Sequence, residues 1–176
     1  MHFENHRADM DERSFKRFVE SYSNDLLYYA RYLSRSKEEA EEIVSDVFFE
    51  VWQNRAKIDE IQNIKAWLLT ITHNKAISYL RKKENLNPPV SWDEIGDNTL
   101  PDNLQTPDEQ LISKEEMNRI NRIINSLPPR CKQVFILAKI EKLVYKEIAE
   151  ILGISVKTIN IHVAKALELI SEGLKK

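Results

Sequence analysis

The chain has 176 residues, of which 42% are hydrophobic and 31% charged, with three glycines, six prolines and one cysteine. That composition excludes a disordered polymer, and so few glycines and prolines exclude a turn-rich β architecture. The net charge of −2 divides into −1 over residues 1–84, −6 over residues 85–113 and +5 over residues 114–176, which predicts two modules joined by an acidic connector, the second facing a polyanion. Cys131 stands alone, so an internal disulfide is excluded and a reducing compartment, the cytoplasm, is expected. No apolar run approaches the roughly 20 residues that cross a bilayer, and the polar start from Met1 to His6 predicts no signal peptide.

In chain order, the first helix is expected over Asp11–Leu33, where Phe15, Phe18, Val19, Tyr22, Leu26, Ala30 and Leu33 recur at three- and four-residue steps. A second is expected over Lys37–Gln53, opened by a Ser36/Glu39 capping box and striped by Ala40, Ile43, Val44, Val47, Phe48, Val51 and Trp52. Residues 54–63 read as a polar loop, and a third helix runs from Ile64 to Lys83 with Ile64, Trp67, Leu68 and Ile71 inward. Residues 85–112 read as a linker, rich in proline and free of Lys and Arg. Four shorter helices follow. Ser113 and Glu116 box the first, which ends near Asn125; the second runs from Pro128 to Lys139. The third spans Val144–Leu152, with Gly153 as its left-handed end, and Ser155 caps the fourth, which ends near Ser171. The fold expected is all-α: a three-helix domain over residues 10–84 and a four-helix domain over residues 113–173.

Three features carry chemistry. In the run Tyr145–Ala164, a small Ala149, a Gly153 four residues on and an Ile159 six further fit a helix-turn-helix. Val156, Ile159, Val163, Ala166 and Ile170 are expected on the buried face of its second helix. Ser155, Lys157, Thr158, Asn160, Ile161, His162 and Lys165 are then left to meet phosphates, base edges and a thymine methyl in duplex DNA. The bland alternative is a helical hairpin with a solvated face. The second feature is the helix Ile64–Lys83, which carries Lys65, Lys75, Arg81, Lys82 and Lys83 and no acid, interleaved with Trp67, His73, Asn74 and Tyr79. Cations among flat rings suit single-stranded DNA, although its place in the stripe puts Trp67 in the core first, and Arg81–Lys83 also suit a helix C-terminus. The third is the acidic face Glu38, Glu39, Glu41, Glu42, Asp46 and Glu50, which is either solvated or a dock for a basic partner. These carboxylates diverge, so no metal site is expected there, nor from His2 and His6. No catalytic residues, cofactor or small-molecule substrate are expected.

With these residues in view, the chain resembles the bacterial sigma factors of the extracytoplasmic-function (ECF) group. The runs Ala40–Trp52 and Ile64–Asn74 are similar to that group's region 2, and Leu127–Phe135 and Tyr145–Ala149 to its region 4. The resemblance implies a protein that binds core RNA polymerase and directs it to promoter DNA. It implies that Glu39, Glu42, Asp46 and Glu50 dock on polymerase. Lys57, Asn63, Lys65, His73, Asn74, Lys75, Arg81 and Lys82 would hold an opened −10 strand, and the Ser155–Lys165 face would read the −35 duplex. An anti-sigma factor is the further partner implied. Ile140-Glu141-Lys142 lacks the glycine common before the helix-turn-helix of this group, so a differently shaped turn is expected. The competing readings are a stand-alone helix-turn-helix regulator and a polymerase binder that reads no DNA.

Overall fold

The computed structural model describes residues 10–34, 36–84 and 113–176, the side chains of Lys83 and Glu84 excepted. His2, His6 and the connector lie outside the described residues.

The first module is three long helices: α1 (Glu12–Leu33), α2 (Lys37–Gln53) and α3 (Ile64–Glu84). Each start has a local cause. The Asp11 carboxylate accepts from Ser14 N at 2.7 Å, and Ser36 Oγ accepts from Glu39 N at 3.1 Å. Asn63 Oδ1 accepts from Ala66 N at 3.1 Å, capping α3. Leu26, Ala30, Leu33, Ile43, Val47, Val51, Leu68, Leu69 and Ala76 are buried between the three helices. Phe15, Phe18, Tyr22, Phe48 and Trp52 form an aromatic row at the α1–α2 seam, with Phe15 and Trp52 centroids 4.9 Å apart. Residues 54–63 are more ordered than a polar loop. Arg55–Glu60 form a 3₁₀ turn anchored by buried Ile58, and the Arg55 guanidinium lies 4.1 Å over the Trp52 ring.

The second module contains α4 (Lys114–Asn125), α5 (Pro129–Phe135), α6 (Tyr145–Leu152) and α7 (Val156–Lys175). Ser113 and Glu116 make the expected reciprocal capping box on α4. Instead of running on to Lys139 as one α-helix, α5 widens into a π turn over Ile136–Ile140, closed by Glu141 N donating to Ile136 O at 2.9 Å. Lys142 then takes a left-handed backbone at φ 58°. The direction of the chain is thus reversed without glycine, at a conformational cost. Gly153 fills its expected role at φ 66° between α6 and α7. Ile148, Ile151, Leu152, Ile159, Val163 and Ala166 seal the two helices together, with Ile159 fully buried. Val156, assigned from its period to the buried face, is exposed because it occupies the first turn of α7, beyond the reach of α6.

The buried residues of both modules belong to one contiguous core. Among the described residues no helix is long and apolar enough to cross a membrane. No group of three or more His, Cys, Asp or Glu side chains among them is placed to hold a metal ion.

Candidate nucleic-acid interface

The outward row of α7 holds Ser155, Lys157, Asn160, Ile161 and Lys165, all exposed, while Ile159, Val163 and Ala166 hold the opposite face down. Ile161 is 58% exposed, which is unusual for an isoleucine without a partner and fits an apolar contact with a base. Ser155 is committed to the helix start: its Oγ accepts from Thr158 N at 3.1 Å and lies 2.8 Å from Thr158 Oγ1. Both hydroxyls therefore stand at the N-terminus, where a phosphate is favoured. His162 departs from the outward row. Three residues after Ile159 and four before Ala166, it falls at the edge of the buried face. It is half-buried, and its Nδ1 lies 3.5 Å from Cys131 Sγ. Burial and the Arg130 charge push its pKa down, disfavouring the charged ring, and burial pushes the Cys131 thiol up.

On the first module, Lys57, Asn74, Arg81 and Lys82 are exposed. His73 does not belong with them. It follows Leu69 by four residues and precedes Ala76 by three, so it lies on the inner side of α3. Its Nδ1 is 3.0 Å from Tyr29 Oη and its ring stacks on that tyrosine. Burial lowers its pKa to about 4, so it carries no charge for a phosphate at neutral pH. Lys75 is half-buried and paired with Glu50 at 2.8 Å. Asn63 and Lys65 are also engaged by the second module: Asn63 Nδ2 donates to Glu147 Oε1 at 2.7 Å and Lys65 Nζ lies 3.2 Å from Glu141, while Asp25 on α1 of the first module lies 3.6 Å from the same Nζ.

The acidic face of α2 is narrower than its charges suggest. Glu39 is 6% exposed, because it shares the four-residue row of Ile43 and Val47 and so points into the module. Glu42 and Asp46 are exposed, with Tyr79 Oη donating to Glu42 at 3.4 Å. Asp46 and Glu50 line a cavity of about 370 Å³ together with Asn74, Lys75, Tyr79 and Lys82. The carboxylates of α2 and the cations of α3 thus meet in one groove rather than standing on separate faces. Sequence reasoning also left Phe49 unassigned. It is 63% exposed at the edge of an apolar groove lined by Phe15, Phe48 and Trp52. Its place between the stripe and the acids was the available signal.

A three-helix module with a mixed-charge groove, followed by a helix-turn-helix module with an exposed cationic reading face, defines a DNA-binding protein of two helical domains. Residues 18–85 match the family model for sigma-70 region 2 and residues 117–170 that for sigma-70 region 4. The ECF RNA polymerase sigma factor SigW of Bacillus subtilis is 26% identical, the match covering 94% of this chain and 91% of that one. The ECF RNA polymerase sigma-E factor of Haemophilus influenzae is 25% identical over 94% of this chain and 89% of its own. Among solved structures, the sigma factor RpoE of Bartonella quintana, crystallised with the anti-sigma factor NepR, is 25% identical and superposes with a TM-score of 0.59 over 93% of this chain and 98% of its own. The chain belongs to the ECF group of sigma factors. It is a subunit that binds core RNA polymerase and directs it to promoters, not a stand-alone regulator.

Proposed function

We propose that the two modules divide promoter recognition, the first domain over residues 10–84 and the second over residues 113–173. Lys57, Asn63, Lys65, Asn74, Lys75, Arg81 and Lys82 take the opened −10 strand, with Asn74 and the groove beside it receiving an unstacked base. Lys157, Asn160, Ile161 and Lys165, with Thr158 and Ser155 at the helix start, read the −35 duplex. Glu42, Asp46 and Glu50 dock on a basic surface of core polymerase, and exposed Phe49 supplies an apolar contact next to them. The protein itself is non-catalytic, acts in the cytoplasm beside polymerase, and is restrained by an anti-sigma factor, as RpoE was captured with NepR.

The observation that carries this reading is the α7 row: Lys157, Asn160, Ile161 and Lys165 are exposed together on a helix whose other side is fixed by fully buried Ile159 and Ala166. Run-off transcription with core polymerase and a genomic library tests it. Transcripts should start downstream of a shared upstream motif, and that dependence should disappear with Lys157→Ala and Lys165→Ala together. Start sites indifferent to both substitutions would remove α7 from promoter reading.

A further inference from the structure

Beside the apolar contacts of the shared core, the two modules meet through polar chemistry that the function above does not use. Among the described residues, polar contacts cross between them. Glu141 pairs with Lys65 at 3.2 Å, Glu147 accepts from Asn63 at 2.7 Å, Gln133 Nε2 donates to Tyr29 Oη at 3.4 Å, and Lys132 Nζ lies 5.9 Å over the Tyr32 ring. Two of the four engage residues assigned to the opened strand. What Lys65 and Asn63 receive from the second module is a pair of carboxylates, the same kind of oxygen acceptor that a phosphate offers.

The local backbone is shaped to deliver that contact. The π turn over Ile136–Ile140 and the left-handed Lys142 flank Glu141 on either side. Glu141 is 2% exposed, so a carboxylate is carried into the interface by two departures from ordinary helix geometry. The seam is also poorly satisfied for a permanent core. Gln133 Oε1 is buried without a hydrogen-bond partner, and burial makes the Glu141 proton hard to lose. The unpaired amide oxygen and the buried acid both subtract from the stability of the closed seam.

We propose that this chain carries its own brake: Glu141 and Glu147 occupy Lys65 and Asn63 in place of the −10 strand, so the strand-binding end of α3 is free only after the modules part. The brake is partial. The α7 row, Asn74, Arg81 and Lys82 stay exposed in the closed chain, so closure masks strand capture while leaving duplex reading available. The inference rests on the strand-binding role given to Lys65 and Asn63 above.

The test uses the full chain and the variant Glu141→Lys, which sets two cations against each other. Small-angle scattering should give wild type a radius of gyration near the roughly 16 Å of a compact chain this long, and the variant a radius several Å larger. Affinity for a labelled single-stranded DNA 12-mer should rise about tenfold if closure is favoured about ten to one. Glu172→Lys, the same charge change at an exposed site on α7, should change neither radius nor affinity by more than a small factor. Lys65→Glu combined with Glu141→Lys should restore the wild-type radius, which separates opening from misfolding. An unchanged radius in Glu141→Lys overturns the brake whatever DNA does. A larger radius with no gain in strand affinity also overturns it, and Lys65→Ala in that background then locates the error. If Lys65→Ala weakens strand binding, the strand-binding reading stands and only the brake falls; if it does not, the reading of Lys65 falls as well.

Discussion

Lys142 turns left-handed, at φ 58°, immediately before the helix-turn-helix. That conformation costs an ordinary L residue about 1–2 kcal/mol. Glycine there removes the cost but gives back about 0.4–1 kcal/mol through the greater freedom of the unfolded chain. Lys142→Gly should therefore stabilise the second module by about 0.5–1 kcal/mol relative to Lys142→Ala, which removes the side chain and keeps the strain. Gly153 supplies the mirror experiment. At φ 66°, a Cβ added there meets no atom within 4 Å, so Gly153→Ala feels the backbone cost alone and should lose a similar amount. Urea unfolding of the full chain, followed by circular dichroism, gives the three midpoints at constant m. The corresponding thermal shifts are a few degrees in opposite directions. If Lys142→Gly is no more stable than Lys142→Ala, the turn is not strained and the account of how Glu141 is held in place is wrong.

Ile159→Ala empties a fully buried site between α6 and α7 and should cost about 2–5 kcal/mol in chemical denaturation, with loss of duplex binding following from loss of the fold. Glu42→Lys with Asp46→Lys should abolish co-elution with core polymerase while leaving the helical content intact, because both side chains are exposed. Within a polymerase complex on duplex promoter DNA, Lys157→Ala and Lys165→Ala should each lower the slope of log affinity against log salt by about one, measured by anisotropy titration. For pH, burial raises the Glu141 pKa from 4.5 to about 7, with Lys65 on α3 opposing and Asp25 on α1 reinforcing the shift. Between those values the folded chain holds the proton and the unfolded chain does not, so the part of the shift that closure causes makes closure weaken as pH rises through that window and stay level above it; scattering at pH 5.5 and 8 should show the expansion, and Glu141→Gln should remove it.

The helices were legible because period and caps agreed. α2 runs over Lys37–Gln53 as its apolar stripe requires, and Ser113, Gly153 and Ser155 punctuate the second module as their chemistry dictates. The exposed row of α7 was legible for the same reason, since an apolar face fixes the opposite one. What failed was the assumption that a polar residue type declares its own exposure. Glu39 and His73 lie in register with buried rows, and the hydroxyl that partners His73 comes from Tyr29, 44 residues away. The π turn could not be read locally because no residue type marks it, and the absence of glycine gave no sign that the left-handed step would fall on lysine. The seam between modules was out of reach for a stronger reason: Gln133 and Tyr29 stand 104 residues apart, and nothing in either segment encodes the other.

The shared groove of α2 and α3 bears on how polymerase and DNA binding relate. Glu50 is both a carboxylate of the proposed docking row and the partner of Lys75, a cation of the proposed strand face. The pair is partly exposed, so it contributes at most about 1 kcal/mol and exchanges partners readily. A basic polymerase surface arriving on Asp46 and Glu50 competes directly with Lys75 for the same oxygens. Each new contact to the carboxylates therefore frees the lysine, and a phosphate is the acceptor next available to it. The same logic holds at Glu42, whose contact with Tyr79 Oη releases a ring on the groove wall when the carboxylate is taken. Free in solution, Lys75 is answered by Glu50, and Lys65 by Asp25 within the first module and Glu141 from the second. Docking on polymerase relieves the first restraint and separation of the modules relieves the second, so strand capture depends on both events, and neither alone exposes the whole face.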